Sequence, residues 1–379
     1  MTDDGEDEVV VSLDDLHVHF ENSRLFGLKG AETVKAVDGV SLDVHRNEVV
    51  ALVGESGCGK TTLGKAAIGL HRPTEGSVRY RGTDVWEAKD ARGLLSRGNG
   101  LEHDFEEIRR ALQIIHQDPE ASLDANSTIE SILAEPLRRW QPEMSRTDRR
   151  EHIHGFLEYV GLEPASAFAE RYPHQLSGGQ QQRVALVRAL LMSPDLILAD
   201  EAISALDVSL RINMMDLMLE LQAAVDTSYL YITHDISNAR YVAKQSGGRI
   251  GIMYLGKLVE IGPVDQIIEN PQHPYTKALL WATPDLASGE RAEATHGIED
   301  APLRAIDVPD ASDPPSGCPF HDRCPEARTV CTEEMPGTFD QAPAHEVRCF
   351  RADDDHDYWE SAALTTTNSG STPGQSAGD

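Results

Sequence analysis

The sequence predicts an α/β fold organised round a parallel sheet, and three observations carry that reading. The first is an apolar run, Glu48-Val49-Val50-Ala51-Leu52-Val53, that passes through a glycine-rich loop into a helical stretch over 60–70. The second and third are Leu196-Ile197-Leu198-Ala199 and Tyr229-Leu230-Tyr231-Ile232, short runs suited to strands covered on both faces. A chain of 379 residues exceeds one ordinary domain, so a main domain with a smaller attachment is expected.

Taken in order, an acidic start gives way to two short apolar alternations, 9–13 and 16–20, that read as strands, and a second strand pair follows over 34–44. Residues 87–107 have no steady period and read as a polar surface insertion. From 128 to about 169 the pattern is helical, punctuated by Pro136, Pro142 and Pro164. Residues 249–262 read as a hairpin around Gly256-Lys257. After Pro284 the composition shifts to Ala, Asp, Glu, Pro and Ser, marking a linker, and the Thr/Ser/Gly-rich end from 365 reads as disordered. The expected units are 9–265 for the main domain, 266–351 for the attachment and 352–379 for a disordered tail.

A formal net charge of −29 argues against general affinity for nucleic acid or anionic lipid, whose phosphates would be repelled. The excess runs along much of the chain and arginine far outnumbers lysine, a composition that fits adaptation to high salt. No stretch approaches the roughly 18 to 20 apolar residues that span a bilayer, and the acidic N-terminus is unlike a signal peptide. The expectation is a soluble intracellular chain whose membrane role, if any, comes through a protein partner.

The loop Gly54-Glu55-Ser56-Gly57-Cys58-Gly59-Lys60-Thr61-Thr62 fits G-x-x-x-x-G-K-[ST] and points to a nucleoside triphosphate. Glycines let backbone N–H groups converge on phosphate oxygens, Lys60 brings positive charge to the β and γ phosphates, and the Thr61 hydroxyl is suited to Mg²⁺. The following helix N-terminus favours anions. Cys58 reads as loop filler, not as a nucleophile. The bland alternative, a glycine turn that merely joins strand to helix, is weighed down by the strand and helix that flank the loop.

Downstream, Leu176-Ser177-Gly178-Gly179-Gln180 opens a helical run, offering a hydroxyl and free N–H groups at a helix start; alone it is equally a capped helix with a glycine turn. Leu196-Ile197-Leu198-Ala199-Asp200-Glu201 ends an apolar strand in two carboxylates, which alone would pass as solvated caps. In this order the three segments resemble ABC-type ATPases, over about 9–280. The resemblance implies a RecA-like P-loop core with an antiparallel β subdomain and an α-helical signature subdomain, plus a small Cys-containing C-terminal extension.

It also implies residue roles. Asp200 would hold Mg²⁺ with Thr61 and Gln117, the last in the glutamine loop Ile114-Ile115-His116-Gln117-Asp118-Pro119, which also reaches the transport partner. Glu201 would act as general base on the attacking water, and His234, in Ile232-Thr233-His234-Asp235, would touch the γ-phosphate. Ser204-Ala205-Leu206-Asp207 matches the loop that crosses the dimer interface. Phe20 is the candidate for adenine stacking, with Phe26 second; the family's usual tyrosine is absent. A further departure is Ala202-Ile203 after Glu201, where the family commonly has proline first. Ser177, Gly178, Gly179 and Gln180 would close over ATP held by another subunit, so two ATP molecules lie between two head-to-tail domains.

Asn270-Pro271-Gln272-His273-Pro274-Tyr275-Thr276-Lys277-Ala278-Leu279-Leu280 and Gln117-Asp118-Pro119-Glu120-Ala121-Ser122-Leu123 resemble the ATPases of oligopeptide and dipeptide importers. That branch implies an ATPase subunit on the cytoplasmic face of the membrane, two permease subunits, a second ATPase subunit and an extracellular substrate-binding protein. Nickel and short saccharides are cargoes within the same branch. A non-transport ABC ATPase of DNA repair or translation would bring paired domains, long coiled coils or basic surfaces, which this acidic chain lacks. Cys318, Cys324, Cys331 and Cys349, spaced C-x5-C-x6-C-x17-C, offer four soft ligands outside the usual C-x2-C zinc pattern. The resembling tails imply a 4Fe–4S cluster; zinc and reduced thiols are the alternatives.

Overall fold

A computed structural model describes residues 8–22, 32–91, 101–204, 206–283, 303–304, 307 and 309–364. Its centre is an eight-stranded sheet whose order is β11-β12-β10-β9-β3-β8-β7-β6. The strands are β3 (Val49–Val53), β6 (Leu112–Ile115), β7 (Leu196–Asp200), β8 (Ser228–Thr233), β9 (Arg249–Tyr254), β10 (Lys257–Pro263), β11 (Phe339–Ala342) and β12 (His345–Val347). From β9 through β6 all pairings are parallel. Every residue of β3, β7 and β8 is buried, which is why these strands are legible as unbroken apolar runs.

Alternate residues of β3 serve different cores. Val49, Ala51 and Val53 join the cluster shared with the helical lobe, whereas Val50 and Leu52 join the cluster facing a second sheet. That second sheet is antiparallel, ordered β2-β1-β4-β5, from β1 (Val9–Asn22), β2 (Glu32–His45), β4 (Glu75–Tyr80) and β5 (Thr83–Asp84). The two alternations expected over 9–20 are one continuous strand. Its register slips between Leu13 and Leu16, where Asp15 takes a positive φ of 42°, so a bulge replaces the expected break. The strand pair expected over 34–44 is likewise a single strand, paired along its length with β1.

The polar insertion is narrower than its sequence suggests. Helices Val85–Asp90 and Phe105–Ala111 flank residues 92–100, which lie outside those described, and Trp86, Ala88, Phe105 and Ile108 are buried. Asp84 and Asp104 cap the two helices by accepting from backbone N–H groups. The helical lobe holds Ile129–Trp140, Arg146–Tyr159 and Ala165–Ala169, started by Thr128, Ser145 and Pro164, with Pro136 inside the first helix instead of ending it.

The C-terminal attachment completes the main sheet. β12 pairs with β10 (Glu260 with Val347) and β11 pairs with β12. The joint is organised by Glu260, 1% exposed, which accepts from the backbone N–H of Gln272 (2.8 Å) and His273 (2.9 Å) and from the Thr276 hydroxyl (2.5 Å), with His345 Nε2 at 2.8 Å. A buried carboxylate is tolerable only when its acceptor capacity is used in this way. The expected disordered tail from 352 starts too early. Residues 352–364 include the 3-10 turn Asp357–Glu360, and Tyr358 is buried with Cys331 and Phe350; residues from 365 lie outside those described.

Candidate nucleotide site

The glycine loop joins β3 to the helix Lys60–Ala67, and two of its glycines, Gly54 and Gly59, are required by close backbone approach. A Cβ on Gly54 would lie 2.2 Å from the Met253 carbonyl oxygen, and one on Gly59, whose φ is +106°, would lie 2.0 Å from the Ala36 carbonyl oxygen. The Lys60 ammonium, buried, donates to the Gly54 carbonyl at 2.7 Å and the Glu55 carbonyl at 3.0 Å. Cys58 is buried and burial pushes its thiol pKa up, away from thiolate chemistry. Ser56, Gly57 and Thr62 complete the loop; a Cβ on Gly57 would meet nothing within 4 Å, leaving that turn open.

Parallel strands deliver the remaining groups at their C-terminal ends, where α/β sheets gather their sites. Asp200 ends β7 and its Oδ1 accepts from the Thr61 hydroxyl at 2.8 Å. Glu201 follows in the left-handed region, with φ 48°, which turns its carboxylate towards two neighbouring loops. Gln117 Nε2, two residues past β6, donates to Glu201 Oε2 at 3.0 Å. His234 Nδ1, just past β8, lies 3.4 Å from Glu201 Oε1. Five sequence-predicted residues therefore meet: Thr61 with Asp200, and Gln117 with Glu201 and His234. Ala202 and Ile203 are buried in the core, so the turn without proline is anchored by apolar packing.

The signature residues line a separate cleft. Ser177 caps the helix Gly178–Leu190 by a capping box: its hydroxyl accepts from the Gln180 N–H at 3.4 Å, and the Gln180 side chain accepts from the Ser177 N–H at 3.0 Å. Ser177, Gly179 and Gln180 line a cleft with Leu206 and Leu210, and not with the glycine loop. A Cβ on Gly178 would meet nothing within 4 Å, so packing inside this chain does not require glycine there. Asp207 caps the helix Val208–Val225, accepting from the Leu210 N–H at 3.0 Å. That helix starts with Val208, Leu210 and Ile212 exposed. Phe20 lies on β1, 43% exposed and edge-on to His71 at 5.8 Å; Phe26 lies outside the described residues.

Two contacts with the glycine loop escaped sequence reasoning. The Tyr275 hydroxyl accepts from the Glu55 N–H at 3.0 Å, and Arg323 holds the Glu55 carboxylate with two bonds, 2.9 and 3.0 Å. Both residues stand in segments singled out in the sequence, but nothing local signals a partner 268 positions away.

The four late thiols are free and gather in the attachment. Cys324 and Cys331 are buried, Cys318 and Cys349 partly so, and the Cys318 N–H donates to the Cys331 carbonyl at 2.8 Å. Burial pushes the Cys324 thiol up to about 12 and that of Cys349 to about 11, and neighbouring cysteines push in the same direction. Among the described residues, three ligating atoms come within 4.8 Å of one another at His17, His19 and Asp38, and in no set of three thiols. There the Lys257 ammonium pairs with Asp38 Oδ2 at 2.8 Å, and the two histidines face Oδ1 of the same carboxylate.

The chain matches the family model described as ABC transporter over residues 37–204, and that described as oligopeptide/dipeptide transporter, C-terminal region, over 259–331. It is 40% identical to the oligopeptide transport ATP-binding protein AppF of Bacillus subtilis, over 90% of this chain and 97% of that one. It is 39% identical to the oligopeptide transport ATP-binding protein OppF of Salmonella typhimurium (91% and 97%), and 40% identical to the dipeptide transport ATP-binding protein DppF of Haemophilus influenzae (85% and 90%). Among solved structures, a dimeric post-hydrolysis state of the ATP-binding cassette MJ0796 bound to ADP and Pi aligns with TM-score 0.53 at 29% identity, over 67% of this chain and 98% of that one. The structure of cbiO1 from Clostridium perfringens aligns with TM-score 0.56 at 20% identity, over 72% and 96%, a likeness of fold alone.

Proposed function

We propose, from the premise that this chain belongs to the ABC transporter family as an ATP-hydrolysing subunit, that it powers an importer of dipeptides or oligopeptides. Membership in the branch rests on the C-terminal region and on relatives named for oligopeptide and dipeptide transport. The single observation that carries the chemistry is the Glu201 carboxylate held between Gln117 and His234, beside the Thr61–Asp200 pair.

The donor set fits ATP with Mg²⁺: a buried ammonium on a glycine loop, a hydroxyl bonded to the Asp200 carboxylate, and an amide bonded to the carboxylate of the next residue, Glu201. Bound Mg²⁺ neutralises charge on the phosphates. Lys60 and the loop N–H groups from Gly54 to Thr62, apart from that of Glu55, which the Tyr275 hydroxyl takes, would bind phosphate; Thr61, Gln117 and Asp200 would hold the metal, and Phe20 would offer an aromatic face to adenine. Glu201 takes the proton of the attacking water, and His234 orients the carboxylate while reaching toward the phosphate. Ser177, Gly178, Gly179 and Gln180 act on ATP held by a second ATPase subunit. What supports this is a signature that lines a cleft without its own glycine loop, an unforced glycine at 178, and exposed Val208, Leu210 and Ile212 beside Asp207.

Two permeases anchor the chain to the cytoplasmic face of the membrane, and an extracellular binding protein delivers cargo to them. Among the described residues no helix is long and apolar enough to cross a membrane, so attachment falls to a partner. A cleft beside β6, lined by Ile115, His116, Arg139 and Trp140, lies next to Gln117 and suits the contact that reports transport to the site. The main domain, 9–265, and the extension, 266–351 with continuation to 364, work as one body through the shared sheet.

We assign the four late thiols to a 4Fe–4S cluster over a single zinc ion. Zinc bonds of about 2.3 Å draw thiolates close together, whereas among the described residues no three thiols approach within 4.8 Å. The test of the function is transport. Vesicles carrying the chain with its permeases should accumulate peptide only with ATP, and uptake of nickel or a short saccharide in place of peptide would overturn the assignment of cargo.

A further inference from the structure

The glycine loop is held from outside its own domain. Glu55 is the second residue of that loop, and each of its polar groups has an assigned partner. Its carbonyl takes the Lys60 ammonium, its N–H donates to the Tyr275 hydroxyl, and its carboxylate receives the Arg323 guanidinium in a fork of two bonds. Arg323 is fixed in turn. Its side chain is 5% exposed, its guanidinium lies 5.7 Å from the ring centres of Tyr254 and Phe320, and it donates to the Tyr254 hydroxyl at 3.4 Å. Phe320 is fully buried against Tyr254 and Tyr275, so the two residues that grip the loop share one aromatic platform.

We infer that Arg323 and Tyr275 are positioning residues for the phosphate loop, through which the C-terminal extension sets the affinity for ATP. The physical argument is charge and order. A carboxylate at the second position of a triphosphate-binding loop repels its ligand, and a bidentate guanidinium both neutralises that charge and fixes the side chain away from the phosphates. The Tyr275 contact fixes the backbone N–H at the same residue, limiting the loop to one conformation before the nucleotide arrives. The inference rests on the nucleotide site proposed above.

Equilibrium titration of the full chain with a fluorescent, non-hydrolysable ATP analogue tests it. Arg323→Met, which keeps the stem and removes the fork, is expected to weaken binding about tenfold, and Tyr275→Phe, which keeps the ring, about threefold. In both, turnover at saturating ATP should stay within about twofold of native, since the loss is in binding and not in the chemical step. The discriminating variant is Arg323→Met with Glu55→Gln. With the carboxylate gone there is nothing to neutralise, so binding should return to within about threefold of native. A residue that only packs would give no such recovery. Native affinity in both single variants overturns the inference, as does a double variant as weak as Arg323→Met. Should Arg323→Met unfold the extension, Tyr275→Phe decides alone: native affinity there overturns the inference. Lys60→Ala runs in parallel, and its binding as native would fault the nucleotide site itself, not the role of the extension.

Discussion

Gln117 and Glu201 are joined by a 3.0 Å hydrogen bond from side-chain amide to carboxylate, across 84 positions of sequence. One follows β6 and the other follows β7, neighbouring parallel strands, so the bond ties the loop beside the cleft at Ile115 and His116 to the carboxylate proposed as base. The same carboxylate is the neighbour of His234, which makes it the point where three strand ends report to one another.

Removing the loop cation should weaken binding. Lys60→Ala is expected to weaken ATP affinity by at least about tenfold, because a buried ammonium is replaced by nothing that can meet phosphate charge. Nucleotide titration of the purified chain checks this.

Blocking the signature should separate binding from turnover. Ser177→Arg places a large cation where the capping hydroxyl stands, and is expected to leave ATP affinity within about threefold while reducing hydrolysis by about a hundredfold or more. Equal loss of both would place the signature in its own chain's site.

The joint between extension and core should weaken without the Glu260 charge. Glu260→Gln keeps the size but gives up acceptor capacity needed by two backbone N–H groups, the Thr276 hydroxyl and His345, and is expected to cost about 2–4 kcal/mol. Denaturant unfolding measures the loss, and limited proteolysis should locate it in the extension.

Acid should loosen the same joint. Burial holds His273 far below the ordinary histidine range, at about 4, and leaves it neutral, with Nδ1 accepting from the Tyr275 N–H. The unfolded chain takes up a proton there below pH 6.5 and the folded chain does not, so stability falls as pH drops from 6.5 towards 4, by about 3 kcal/mol for this group. Unfolding midpoints across that window should decline, and His273→Asn should make the decline shallower.

How much of this was legible in the sequence follows from physical range. β3, β7 and β8 read as strands because burial on both faces makes them continuously apolar, and the glycine loop reads because its backbone geometry demands glycine at fixed positions. Thr61, Gln117, Asp200, Glu201 and His234 were found by order along the chain, and the sheet brings them together. The bulge at Asp15 was hidden because a one-residue slip leaves the apolar alternation looking like two strands. The short helices beside the polar insertion were missed because two turns carry too little periodicity. Glu55–Arg323 and the Glu260 hub were invisible for another reason: each residue is unremarkable locally, and only the fold makes the pair.

The most direct measurement of the central claim is ATP turnover and ATP binding by Glu201→Gln in the transporter assembled with its permeases. The amide keeps the shape and the contact with Gln117 but cannot take a proton from water. The expected result is ATP binding close to native, a closed state that persists, and hydrolysis lowered by about a hundredfold or more. Steady-state hydrolysis at the native rate would contradict the assignment of Glu201 as base.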